Sequence, residues 1–206
     1  MNNNVSNFLK KKFKILDIKI DTNNDQINQI ILKNTKFLIE ENILFVNKKE
    51  IEDKLSKLKF LHSFNVIKKY PSTIKINAMK TNLIAITYLD QKKYYVGSNE
   101  KFILASQISN SKNMPIIFGK FDVSEFTLLK EIIRNTKINE KEIVKYYFHK
   151  NNRWDLYFKN NILIQLPSKN IPDALKLYMQ FKKTNKLNPN AIIDLRIKDR
   201  LILNNG

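Results

Sequence analysis

The chain has 206 residues, 43% hydrophobic and 11% aromatic, enough to bury one large core or two small ones, and this excludes wholesale disorder. It has no cysteine, which excludes disulfides, thiolate metal centres and cysteine nucleophiles. The net charge is +18, but Arg134, Arg153, Arg196 and Arg200 are the only arginines among 37 basic residues, and arginine is what forks onto phosphate and guanine, so diffuse lysine argues against a nucleic-acid partner and at least as well for an anionic membrane surface.

The start, "MNNNVSNFLKKKFKI", is basic but lacks the apolar run of a signal peptide, and no stretch of about 18 apolar residues occurs anywhere. The expectation is a soluble protein, or one separated from its anchor, with residues 1–12 as a basic tail. "FKILDIKID" (Phe13 to Asp21) alternates as a strand. "NNDQINQIILKNTK" puts Ile27, Ile30 and Ile31 on one helical face. After the apolar link "ENILFVN", "NKKEIEDKLSKL" is a second helix, with Asn47 as cap, Glu50 at the capping-box position and Ile51, Leu55 and Leu58 inward. "HSFNVIKKY" and "STIKINAMK" are strands joined by a turn at Tyr70-Pro71-Ser72, where Pro71 ends the pairing. Residues 13–81 thus read β-α-α-β-β, a small sheet with two helices on one face.

From residue 82 the pattern changes to short strands: "LIAITYL", "KKYYVG" and "KFILAS". "NMPIIFGKFD" reads as a loop. "VSEFTLLKEIIRN" is a helix with Phe126, Leu129, Ile132 and Ile133 inward. "EIVKYYFHK" and "RWDLYFK" are strands, Trp154 anchoring the second in the core. Asn160 and Asn161 supply the positive φ values of a hairpin turn into "ILIQLP". "IPDALKLYMQFKK" is a helix burying Ala174, Leu177, Tyr178 and Phe181. "AIIDLRIKDRLIL" (Ala191 to Leu203) reads as one terminal strand, apolar at Ile193, Leu195 and Ile197 and charged at Asp194, Arg196 and Lys198. The expected fold class is α+β, the second part (82–206) an antiparallel sheet with two helices.

Little in the chain points to catalysis. His62 and His149 have no ligand at metal spacing and read as strand histidines. Glycine occurs only at Gly97, Gly119 and Gly206, so no glycine-rich phosphate loop is possible. Glu40 and Glu41 read as a solvated helix end, and no serine sits in a nucleophile elbow. The pairs Tyr94-Tyr95 and Tyr146-Tyr147 read as one buried and one rim residue each, ahead of base-stacking platforms. No cofactor or metal is expected.

These pieces resemble a known family. The β-α-α-β-β order is similar to a POTRA module. "NILFVNKKEIEDKLSKLKFLHSFNVIKKYPSTIKI" (Asn42 to Ile76) resembles the same region of the bacterial cell-division family FtsQ, also called DivIB. "MPIIFG" resembles that family's Leu-Pro-x-x-x-Gly loop, "RWDLYFKNNILIQLP" its Trp-x-Leu hairpin, and "IDLRI" its near-terminal Asp-Leu-Arg strand. There are departures. Lys80 and Leu83 stand where Glu and Pro are common. Gly97 and Glu100 replace a turn's Asp and Gly, with Asn99 the candidate left-handed residue. Ile197 takes a place often held by an aromatic.

The resemblance implies a non-enzymatic divisome scaffold at the periplasmic face of the inner membrane, at the septum. It would bind FtsB- and FtsL-like proteins, contact other divisome proteins through the POTRA module, and help recruit late septum-forming cell-wall enzymes. It also implies a membrane anchor, which this sequence does not contain. On this view the terminal strand is a docking edge for strand addition, with Asp194, Arg196, Ile197, Lys198 and Leu201 as contacts. A POTRA module of an outer-membrane assembly or secretion system is the alternative. The Trp154 hairpin and terminal Asp-Leu-Arg strand do not belong in such a module. A basic nucleic-acid-binding protein is a further alternative.

Overall fold

The computed structural model describes residues 12–109 and 113–204. The chain divides into two compact units, Met1–Asn82 with Ser106–Ile108, and Leu83–Ala105 with Ser109–Gly206.

The first unit runs β1 (Asp17–Asp21), α1 (Asp25–Thr35), α2 (Lys48–Ser56), β2 (Leu61–Lys69), β3 (Thr73–Lys80). Its sheet has the order β1-β3-β2, with β1 parallel and β2 antiparallel to β3. Both helices start where asparagine caps them: Asn24 accepts from the Ile27 N–H and Asn47 from the Lys49 N–H, each at 3.0 Å. Ile27 and Ile31 of α1 and Ile51 and Leu55 of α2 are buried, as are Ile18, Val66, Ile74 and Ile76 of the strands. Ile30 and Leu58, expected on the same stripes, lie at their half-exposed margins. The first strand is shorter than the alternation from Phe13 suggests. Phe13 to Ile15 instead bond to the link between the helices, through Ile43 N–H to Phe13 O (2.8 Å) and Ile15 N–H to Glu41 O (2.8 Å).

The second unit is built on one nine-stranded sheet. Its strands are β4 (Leu83–Leu89), β5 (Lys92–Gly97), β6 (Phe102–Leu104), β7 (Ile116–Phe118), β8 (Ile143–His149), β9 (Arg153–Phe158), β10 (Leu163–Gln165), β11 (Ile192–Asp194) and β12 (Ile202–Asn204). The order is β12-β11-β10-β9-β8-β7-β4-β5-β6. Two helices, α3 (Val123–Asn135) and α4 (Ile171–Thr184), complete it. The α+β class expected from the sequence holds, but the sheet is mixed. The pairs β4–β7, β7–β8 and β10–β11 are parallel, because β7 arrives between two established strands and α4 makes a crossover from β10 to β11.

Ile117, Tyr146, Leu156, Ile164 and Ile193 are successive register partners across β7 to β11, and each is at most 1% exposed. Phe126, Leu129 and Ile133 of α3 and Leu175 and Tyr178 of α4 belong to the same core. On α4 the buried stripe is Leu175 and Tyr178, while Ala174, Leu177 and Phe181 are half-buried, a rotation of the predicted face by part of a turn. Trp154 is the aromatic hub, 4.7 Å from Phe148 and 5.8 Å from both Phe121 and Phe126, ring centre to ring centre.

The segment read as a loop, "NMPIIFGKFD", contains β7, the strand that joins the two halves of the sheet. Three residues between Pro115 and Gly119 are too few for alternation to reveal. Gly119 closes this strand at φ +101, and a Cβ there would lie 2.1 Å from the Phe148 carbonyl oxygen. Gly97 was expected to be followed by a left-handed Asn99, but the positive φ falls on Glu100 (59°). Only Asn161 of the Asn160-Asn161 pair takes positive φ (62°), and it donates its N–H back to Phe158 O at 3.0 Å.

Gly119→Ala is expected to destabilise the second unit by about 2 kcal/mol or more, since it combines a disfavoured φ with a steric clash against backbone. Urea unfolding followed by the fluorescence of the single tryptophan checks this, and an unchanged midpoint would contradict it.

Candidate partner-binding edge

The terminal segment expected as one strand is a hairpin. β11 pairs with β10 on one side and with β12 on the other, through Ile192–Asn204, Ile193–Leu203 and Asp194–Ile202. The strand carrying Asp194 is therefore covered on both edges, and the terminal strand at this end of the sheet is β12. The charged run Lys198-Asp199-Arg200 forms the connection, with Asp199 at φ +57 and an Arg200 N–H to Ile197 O bond of 3.2 Å. That run carries the signal missed in the sequence. Three consecutive charged residues at the middle of an apolar segment mark a turn as readily as a wet strand face.

The direction of the edge's peptide groups follows from the ladder. The Ala191 carbonyl accepts from Leu163 N–H (3.0 Å) and the Leu195 N–H donates to Gln165 O (2.9 Å), so the odd residues of β11 turn their backbone to β10. Ile192 and Asp194 then face β12 and bond Asn204 and Ile202. Leu203 is left with its N–H and C=O directed outward from the sheet. Its side chain, in register with Ile193, packs on the core.

Asp194 sits one row away, on the opposite face, in register with Gln165, Asp155 and Tyr147. Arg196 folds back on it: Nε to Oδ1 at 2.8 Å, Nη2 to Oδ2 at 2.5 Å, and the Arg196 N–H to Oδ1 at 2.9 Å. The sequence reading put Arg196 among the partner contacts and did not anticipate this fork. Alternation placed both residues on one face, and that proximity is what pairs them. The Arg196 side-chain hydrogen bonds hold the Asp194 carboxyl below the usual carboxylate range, outweighing partial burial, and the same bonds raise Arg196. On this face Asp155, buried, lies 2.8 Å from His149 Nε2 and 3.7 Å from Arg153 Nε.

The remaining predicted contacts do not share one face. Ile197 and Lys198 project from the turn, Ile197 at 49% exposure, and Leu201 is half-buried against the core. Ile202, which sequence reasoning did not single out, is 41% exposed. Between the turn and the start of α4 lies a groove of about 460 Å³, lined by Asp173, Lys176 and Leu177 on one side and Arg196, Lys198 and Arg200 on the other. Pro71 lies at the exposed β2–β3 turn, in the first unit, and Trp154 lies in the core, so neither lies at the edge.

Residues 13–77 match the family model described as POTRA domain, FtsQ-type, and residues 85–196 match that of cell division protein FtsQ/DivIB, C-terminal. The second match stops at Arg196, short of the turn and β12. The chain is 27% identical to the cell division protein FtsQ of Rickettsia conorii over 194 residues, 93% of this chain and 72% of that protein. It is 25% identical to the FtsQ of Bradyrhizobium diazoefficiens over 166 residues, 78% of this chain and 48% of that protein. The solved extracytoplasmic domain of DivIB from Geobacillus stearothermophilus overlaps 52% of this chain and 98% of its own at 12% identity and a TM-score of 0.34, a likeness too slight to carry an argument.

Asp194, whose carboxyl is depressed in the fold, contributes stability that is complete above its unfolded value of about 3.9 and is lost as pH falls through the lower folded value. An NMR titration of the Asp194 carboxyl carbon should therefore show a lower midpoint in the parent chain than in Arg196→Ala. Equal midpoints would mean that the fork does not persist in solution.

Proposed function

The chain belongs to the FtsQ/DivIB family of cell-division proteins, and on that premise we propose that it is a non-enzymatic scaffold of the division machinery. It acts at the periplasmic face of the inner membrane, binds FtsB- and FtsL-like proteins, and helps bring late septum-forming enzymes to the division site. Among the described residues no helix is long and apolar enough to cross a membrane. The proposed membrane location follows the family.

The observation that carries the proposal is the outward-directed peptide of Leu203 on β12. An extended segment of the partner adds beside this strand and completes its unpaired groups. Each backbone bond nets about 1 kcal/mol, so an edge of three residues contributes only about 2–3 kcal/mol, less than the several kcal/mol that association costs. Side chains beside the edge supply the difference. Ile202 and Ile197 offer apolar surface. Lys198 and the donors of Arg196 left over from the Asp194 fork suit an acidic partner. Asp194 is then a positioning residue that holds Arg196 beside the edge, and Leu201 supports the strand from beneath. The POTRA unit serves other divisome contacts.

Leu203→Pro removes the outward N–H without breaking the ladder to β11, and Leu203→Ala removes the same packing but keeps that N–H. Co-purification with the FtsB- and FtsL-like proteins of the same cell should fall sharply for Leu203→Pro and stay near the parent level for Leu203→Ala. Arg196→Glu should weaken capture further. Equal capture by the proline and alanine variants, with both folded, would remove strand addition from the proposal.

A further inference from the structure

The second unit has a cavity of about 580 Å³ where the end of α4 meets the β9–β10 turn and the segment leading into β8. Its walls are tied together through the backbone. The Lys159 N–H bonds Glu142 O at 2.9 Å, and the Asn190 N–H bonds Asn160 O at 3.4 Å. The volume falls within the range of about 300–1,000 Å³ that suits a small ligand. Ile138, Phe158 and Ile162, all buried, give it apolar walls, and Leu187 lies half-buried beside them.

Tyr178 of α4 lines the same cavity and is only 2% exposed. Its ring belongs to the core, yet among the described residues its hydroxyl has no hydrogen-bond partner. Burial pushes the phenol up, so the group stays a protonated donor. A buried hydroxyl left without a partner is costly, and one that borders a cavity is placed to bond whatever enters.

The charge at the rim indicates what that is. The charged residues lining the cavity are Glu142, Lys159, Lys182 and Lys186. Glu142 and Lys159 satisfy each other at 3.7 Å. Among the described residues Lys182 and Lys186 have no carboxylate partner, and both are exposed. Lys182 follows Tyr178 by one helical turn, its Nζ 5.9 Å from the centre of the tyrosine ring. The cavity therefore joins apolar walls to one neutral donor and two unmatched ammonium groups. A short apolar body carrying one carboxylate matches each of these features.

We propose that this cavity binds a carboxylate borne on a short apolar group, with the Tyr178 hydroxyl and the Lys182 and Lys186 ammonium groups meeting the carboxylate. The inference is independent of the β12 edge. Its test is titration of the whole chain with N-acetyl-leucine and with N-acetyl-leucinamide, followed through the NMR shifts of the Ile138 and Ile162 methyls. The acid should give saturable shifts and bind about tenfold more tightly than the amide. Tyr178→Phe and a Lys182→Gln, Lys186→Gln double variant should each bind the acid about tenfold more weakly than the parent. Tyr178→Phe should keep the parent's urea midpoint, because the lost hydroxyl bonds nothing in the fold. Hexanoate distinguishes the sources of the carboxylate, and both results support the site: binding equal to that of N-acetyl-leucine assigns it to a free apolar acid, and weaker binding assigns it to the last residue of a peptide chain. Equal binding of acid and amide would overturn the proposal, as would parent-like binding by both variants or the absence of saturable shifts. Lysines that serve only the carbonyl end of α4 would change stability and leave binding untouched, which overturns it equally.

Discussion

The second unit depends on one buried row. Ile117, Tyr146, Leu156, Ile164 and Ile193 stand side by side on five neighbouring strands, all but sealed from water. Side chains alternate along a strand, so slipping any of these strands by one residue would turn its apolar set outward. This register constraint positions everything else on the sheet. It places Asp155 and Asp194 together on the opposite face, and it brings Leu203, half-buried, against the core beside Ile193.

The free edge is a consequence of that packing. With the Leu203 side chain packed against the core and Ile202 and Asn204 bonded back to β11, the peptide group of Leu203 is the part of β12 turned away from the sheet. The edge is short, which protects the protein from indiscriminate strand pairing. In the proposed role it also makes binding dependent on nearby side chains. The Asp194–Arg196 fork matters here because it limits the motion of an exposed guanidinium at the place where a partner would meet it.

The proposed β12 edge offers directional backbone groups, with specificity from a few neighbouring side chains. Among the arginines, Arg196 is bonded to a carboxylate and Arg153 lies close to one, which leaves neither positioned as an open phosphate fork.

Local patterns along the chain sufficed for the helices, most strands and much of the core. Amphipathic periods reported Ile27, Ile31, Ile51, Leu55, Phe126, Leu129 and Ile133, and a single asparagine marked the start of α2, because these signals act within a few residues. Tertiary structure decided what depends on distant neighbours. β7 is a strand only because β4 and β8 flank it. The terminal apolar segment is a hairpin because β11 needs a partner on its outer side and the charged residues 198–200 are cheapest in a solvated turn. Alternation put Arg196 and Asp194 on one face, but whether that arginine served a partner or its own chain depended on how the backbone turned after Leu195. The exposure of Leu44 and Phe45 was likewise illegible. An apolar run looks the same whether it is buried or displayed, and only the seating of Ile43 in the core shows which of the three faces inward.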